Sequence, residues 1–221
     1  MKNTMKITAT LLKEHHACQD GIDEFNAVFP RGIVWKFNDP GFAARVLASP
    51  LAAHLGWALH HLPGFQPFSI TAGDRGTATA GNCGTATAGD WGTATAGYRG
   101  IATAGDYGTA TAGDGGTATA GRWGTATAGD RGIATAGNWG TATAGDWGTA
   151  TAGDGGTATA GYRGTAIAGE EGTATAGERG ILVIKYYDGN RYRFATAYVG
   201  ENGILPNTPY RLDNNHNFVL K

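Results

Sequence analysis

Cysteine is nearly absent from this chain of 221 residues, which has only Cys18 and Cys83. Two thiols cannot build the dense framework of a small secreted disulfide scaffold. Charge is sparse too. Charged residues make up 16%, against about a quarter in ordinary globular chains. A net charge of −1 offers no strong field to nucleic acid or to an acidic membrane surface, so neither is an expected partner. Long apolar runs are missing, and with them any membrane-crossing helix of the ~18 residues that a span needs. The opening MKNTMKITATLLKEHH has a short, threonine-bearing apolar stretch that ends at Lys13 and Glu14. It does not read as a signal peptide, and a cytoplasmic location is expected. Phosphate-loop and nucleophile-elbow motifs are lacking, as are paired carboxylates in a pocket-forming context. The expectation is a protein that is not an enzyme and takes no cofactor.

Glycine, by contrast, is abundant: 38 residues, about 17%, where about 7% is usual. It does not recur at every third position, which excludes collagen. From Thr71 to Gly180 the chain repeats every eight residues as G-T-A-T-A-G-x-x. Fourteen x-x pairs, from Asp74-Arg75 to Glu178-Arg179, follow without a slip of register. A strict short period means stacked repeats.

Thr-Ala-Thr-Ala alternates with period two, the signature of a strand, and has no 3.6-residue period. The G-x-x-G segments, rich in Asp and Asn, are turns. Each unit is therefore one short strand and one tight turn. Eight residues cannot close a coil, but two units can. The predicted fold class is an all-β solenoid, a flattened β-helix of 16-residue coils with two strands in each. Fourteen units give about seven coils, and a rod of roughly 34 Å at about 4.8 Å per rung. Glycine is expected to supply both the unusual φ values and the close approach at each corner.

Two orientations are open. Alanine inside gives a thin, dry core. Threonine inside buries many hydroxyls, each needing a partner. The first is preferred, although isoleucine replaces threonine at Ile101, Ile133 and Ile167. A 16-residue coil puts alternate units on opposite faces. One face carries Thr77 and Thr79, Thr93 and Thr95, Thr109 and Thr111, Thr125 and Thr127, Thr141 and Thr143, Thr157 and Thr159, and Thr173 and Thr175. Every one of those rows reads Thr-Ala-Thr. All the isoleucine exceptions fall on the other face.

The turns segregate as well. One edge carries Trp91, Tyr107, Trp123 and Trp139 on consecutive coils, an aromatic ladder. The other carries Arg99, Arg131, Arg163 and Arg179, with Tyr98 and Tyr162 beside two of them. Exposed stacked aromatics mark contact surfaces, unless they serve only to cover the turn backbone.

The octapeptide, with its Thr-x-Thr core, its following Ala-Gly and turns such as Ala96-Gly97-Tyr98-Arg99-Gly100, resembles the repeat of bacterial ice-nucleation proteins. The likeness covers residues 71–180. It implies a 16-residue-coil solenoid whose threonine rows order water and whose aromatic ladder mediates self-association into a homo-oligomer such as a dimer. This chain has glycine where that repeat has serine before the first threonine, and its array is short. A weaker likeness, carried by Leu11–Cys18 and the tail from Ile181, is to phage- or prophage-encoded solenoid proteins. It implies a scaffold that binds a host protein.

The ends differ from the array. Residues 1–68 are expected to form a helical capping domain, with helix over Leu11–Val28 and again after Asp39-Pro40 and Ser49-Pro50. Its His15, His16, Cys18, His54, His60 and His61 match no standard zinc spacing. No metal is expected there, nor in the Gly-Asp turns, whose period of eight differs from the nonapeptide of calcium β-rolls. Residues 181–221 read as a capping β-hairpin around Asp188-Gly189-Asn190, with a last short strand at Phe218–Leu220. The domain boundaries are thus expected at 1–68, 69–180 and 181–221.

Overall fold

The computed structural model describes residues 4–10, 23, 26, 30, 31, 33–36 and 69–221. Contacts divide the chain into two compact units, Met1–Pro67 and Phe68–Lys221.

In the first unit, β1 (Thr4–Ile7) pairs antiparallel with β2 (Ile33–Lys36). Ala9, Thr10, Asp23 and Asn26 are its described helical residues. The helical capping domain expected over 1–68 did not include these two strands. By residue type, Ile7, Ile33, Val34 and Trp35 have high strand propensity. Nearly all of the helix expected over 11–28, the whole of 39–62 and the six His/Cys positions lie outside the described residues.

The second unit is a solenoid. Its odd strands are β3 (Ser69–Thr71), β5 (Thr85–Thr87), β7 (Ile101–Ala104), β9 (Thr117–Ala120), β11 (Ile133–Ala136), β13 (Thr149–Ala152), β15 (Thr165–Ala168) and β17 (Ile181–Tyr187). Its even strands are β4 (Thr77–Ala80), β6 (Thr93–Ala96), β8 (Thr109–Ala112), β10 (Thr125–Ala128), β12 (Thr141–Ala144), β14 (Thr157–Ala160) and β16 (Thr173–Ala176). Among these strands, odd pairs with odd and even with even, all in parallel. The register is constant: each residue pairs with its counterpart one coil on, as in Thr125↔Thr141 and Ile133↔Thr149. About seven coils result, with the expected two strands each.

Alanine points in and threonine points out. The strand alanines of the array are 0–4% exposed. Each coil buries four methyls, for example those of Ala126, Ala128, Ala134 and Ala136. At about 0.8 kcal/mol per methyl this supplies about 3 kcal/mol per coil. The interstrand hydrogen bonds, about 1 kcal/mol net each and more numerous, contribute the larger share. The core is therefore a spacer of fixed, small width that lets two backbone ladders run side by side.

The corners correct one expectation. The glycines bounding each turn are not in the left-handed region. The second residue of each x-x pair is, from Arg75 at φ 56° to Arg179 at φ 58°. With the N–H of the closing glycine donating to the C=O of the opening one (Gly132 to Gly129, 3.1 Å), the turn has the φ signs of type II. The bounding glycines are needed for space. A Cβ on Gly132 would lie 2.8 Å from the Ala128 methyl, 2.8 Å from the Gly129 oxygen and 3.0 Å from the Gly116 oxygen of the neighbouring coil.

At the C-terminal end larger side chains replace the alanines. Leu182, Ile184, Val199, Ile204 and Tyr210 complete the core. β17 turns at Asp188 into β18 (Tyr192–Tyr198), paired antiparallel from Ile181↔Tyr198 to Tyr187↔Tyr192. Asp188 Oδ1 accepts the N–H groups of Arg191 (2.8 Å) and Asn190 (2.9 Å). With Arg193 beside it, these bonds hold its carboxyl down to about 2. On the even sheet, β19 (Tyr210–Leu212) adjoins β16, and β20 (Phe218–Leu220) pairs with β19.

Candidate functional site

Two kinds of surface are presented by the solenoid: a threonine field on the even sheet and two edges of turn side chains. Constant register aligns the threonines in two columns. Within a row they stand two residues apart, about 6.6 Å, and rows follow at about 4.8 Å. The leading threonine of each row from Thr77 to Thr141 is exposed, and the trailing ones from Thr95 onward are half-buried. Thr157, Thr159 and Thr175 are half-buried as well. Thr173 is an exception. It lies in the row that β19 adjoins and is 5% exposed. It therefore drops out of the field that the repeat alone suggested.

On the opposite sheet, Ile101 and Ile133 stand exposed among threonines, and Ile167, Ile181 and Val183 follow toward the C-terminal end. That face is mixed, while the even face is uniform.

The aromatic ladder is present, and its geometry limits what it can bind. Trp91 and Tyr107 stack with centroids 4.2 Å apart at 5°. Tyr107 and Trp123 are 6.4 Å apart at 4°, and Trp123 and Trp139 are 5.5 Å apart at 12°. A Cβ on Gly155 would meet the Trp139 ring, so the ladder ends against that backbone. The ring faces are turned on each other. What each ring offers to solvent is its edge, with about half its surface exposed. A planar ligand or a sugar ring that needs an aromatic face finds none free between consecutive rungs.

These side chains occupy strained positions. Twelve non-glycine residues of the array, all the second member of a pair, sit at φ between 52° and 60°. Each costs on the order of 1–2 kcal/mol relative to an unstrained conformation. Only Gly115 and Gly155 avoid that cost. The turns are held in place from outside: from Arg75 to Arg163, each second-position N–H donates to the first-position C=O of the next coil, as from Trp123 to Asn138 at 2.9 Å. The side chains that glycine could replace with less strain are the ones aimed outward, and this directs attention to them.

The first position of each pair has a different task. Asp and Asn carboxyl or amide oxygens accept the N–H one coil further on. Asp130 Oδ1 takes the Asp146 N–H at 2.9 Å, and Asn138 Oδ1 takes that of Asp154 at 3.1 Å. This explains the Asp/Asn bias without a metal, and no cluster that could hold one occurs among the described residues.

The arginine edge is less open than its sequence suggests. Trp147 stands between Arg131 and Arg163, a residue that the reading of the arginine series passed over. The missed signal is its spacing: Trp147 lies one coil from each of them. The Arg163 guanidinium lies 4.4 Å from the Trp147 ring centroid and 5.6 Å from that of Tyr162. Trp147 and Tyr162 meet edge-on at 6.1 Å and 77°. Arg99 lies 5.2 Å over Tyr98, and its stem passes beside Gly115. Two of the four arginines on this edge, Arg99 and Arg163, are thus packed on aromatic faces.

The edges also differ in charge. The aromatic edge carries Asp74, Asp90, Asp106, Asp154, Glu170 and Glu171 against Arg75 and Arg122, six acids and two bases, for a net −4. The arginine edge balances Asp114, Asp130, Asp146 and Glu178 with four arginines. On the aromatic edge, Lys185 reaches back from β17 to Asp154 at 2.6 Å. That bond lowers the Asp154 pKa and raises that of Lys185. No described helix is long and apolar enough to cross a membrane. No family model, curated protein or solved structure matches the chain.

Proposed function

We propose that this chain is a non-enzymatic binding solenoid whose threonine field on the even sheet engages ice or ordered water. The carrying observation is the in-register stack of Thr-Ala-Thr rows from Thr77 to Thr159. Parallel pairing of each row with the next coil repeats hydroxyl and methyl groups at two fixed spacings on one face. A lattice can be matched only if both spacings stay constant over many rungs, and β-stacking fixes both. The short alanine core supports this reading, because it keeps the sheet narrow and regular. The hairpin of β17 and β18 serves in it as the C-terminal cap. The test is thermal hysteresis measured on the full chain and on the double variant Thr125→Tyr/Thr141→Tyr. The wild type is expected to show hysteresis and the variant to lose it with an unchanged circular-dichroism spectrum. No hysteresis in the wild type at high concentration removes the proposal.

A second reading, a scaffold that binds a host protein, is favoured by the aromatic edge. Four stacked rings on an edge that stays acidic, at −3 once Lys185 is counted against Asp154, suit a basic protein surface. Replacing Trp91, Trp123 and Trp139 with alanine should abolish such binding and leave hysteresis intact.

A further inference from the structure

β18 is the last strand of the odd sheet, and its outer side has no strand beside it among the described residues. Which of its backbone groups face outward follows from the ladder. The Val199 N–H donates to Gly180 and the Asp188 N–H to Arg191. With the register Ile181↔Tyr198, hydrogen-bonded pairs alternate, so residues 193, 195 and 197 bond to β17. Tyr192, Phe194, Thr196 and Tyr198 direct their N–H and C=O groups away from it. The Glu201 N–H takes up the Tyr198 carbonyl. The side chains of these four residues lie on the outer face, where Tyr192, Phe194 and Tyr198 are 59%, 62% and 52% exposed. An open edge lined by large apolar side chains is a template for another strand.

We infer that this edge pairs antiparallel with β18 of a second copy, about a two-fold axis through Ala195. The strand is nearly self-complementary about that residue. Antiparallel pairing sets Phe194 opposite Thr196 of the second copy, and Tyr192 opposite its Tyr198. These are aromatic–β-branched and aromatic–aromatic pairs, the kinds that stabilise sheets. Phe194 and Thr196 exchange two backbone bonds, and their symmetry mates exchange two more. Ala195 meets Ala195 of the second copy, so two small side chains share the axis. Charges agree as well. Each strand is basic at its start, with Arg191, and acidic beyond its end, with Glu201. Antiparallel pairing brings those ends together. The aromatic ladder is a poorer place for two copies to meet, since face-to-face ladders would bring two acidic edges together. The two odd sheets would become one continuous sheet, with both threonine fields left uncovered.

The test uses the full chain, with Cys18 and Cys83 changed to serine for the cross-linking arm. Sedimentation equilibrium is expected to show a dimer. Thr196→Pro removes an N–H that faces away from β17 and keeps the internal ladder. With two bonds lost per dimer and a steric block, it should raise the dissociation constant about a hundredfold. Phe194→Lys should weaken the dimer similarly if the proline variant fails to fold. Ala195→Cys should form an intermolecular disulfide under mild oxidation, because Ala195 faces its own mate in a non-hydrogen-bonded pair, and Thr196→Cys should not. The inference is overturned by a monomeric wild type. It is equally overturned by a dimer that Thr196→Pro and Phe194→Lys leave unchanged, or by one that only the ladder tryptophan variants dissolve. None of these outcomes bears on hysteresis, so the threonine-field proposal stands or falls separately.

Discussion

Exchanging alanine for glycine at a corner, and glycine for the residue beside it, separates the two demands that each turn makes. Gly132 needs empty space and Arg131 needs a left-handed φ, and the two are adjacent. In Gly132→Ala the new methyl would sit 2.8 Å from the Ala128 Cβ, 2.8 Å from the Gly129 oxygen and 3.0 Å from the Gly116 oxygen. Two of the three are backbone atoms, one of them on the neighbouring coil, so the clash cannot be relieved by turning a side chain. Overpacking of this kind costs about 3 kcal/mol. Arg131→Gly acts oppositely. It removes about 1–2 kcal/mol of left-handed strain, while the freer unfolded chain takes back about 0.5–1 kcal/mol. The net is a gain of about 0.5 kcal/mol. In a unit of this size each kcal/mol moves Tm by about 2–4 °C. Thermal unfolding followed by circular dichroism should therefore drop by about 6–12 °C for Gly132→Ala and shift by no more than about 2 °C, upward, for Arg131→Gly. A larger loss from Arg131→Gly than from Gly132→Ala would refute the assignment of strain to the second turn position.

Two further outcomes test the ladder along the solenoid. Asp130→Ala leaves the Asp146 N–H without its acceptor and should cost about 1 kcal/mol in urea titration, whereas Asp130→Asn should cost little because the amide oxygen replaces the carboxylate. Equal losses from both would show that charge, not the accepted bond, matters there. Lys185→Met tests the tie between β17 and the array. Asp154 is lowered below 3.8 in the folded chain and Lys185 is raised above 10.5. The pair's contribution is therefore complete between those values. It is lost as pH falls through the folded Asp154 pKa, and again as pH rises through that of Lys185. Being half-buried and open to solvent on one side, it contributes about 0.5 kcal/mol at neutral pH. The variant should be less stable than wild type near neutrality and converge with it at both extremes, and a difference that persists at low pH would refute the linkage.

The period of eight by itself determined most of the architecture. Thr-Ala alternation allows only strands, two units are the smallest number that closes a coil, and identical strands gain most when stacked in register. From these came the two sheets, the partition of Thr77–Thr175 from the isoleucine-bearing rows, and the aromatic ladder. The hairpin around Asp188 and the last strand at Phe218–Leu220 were legible from turn chemistry and alternation. Other features were settled only by tertiary structure, because they depend on distances between coils. The bounding glycines and the left-handed residues sit side by side in the sequence, and only the approach of the neighbouring backbone shows which of them needs space. Trp147 falls within the arginine series in the sequence, and only the folded chain shows Arg163 resting on its face. Thr173 is buried because β19, remote in sequence, adjoins its row. The open side of β18 exists because, among the described residues, it is the last strand of its sheet. Repetition along the chain fixed the rungs, and contacts across the chain decided which surfaces remain free.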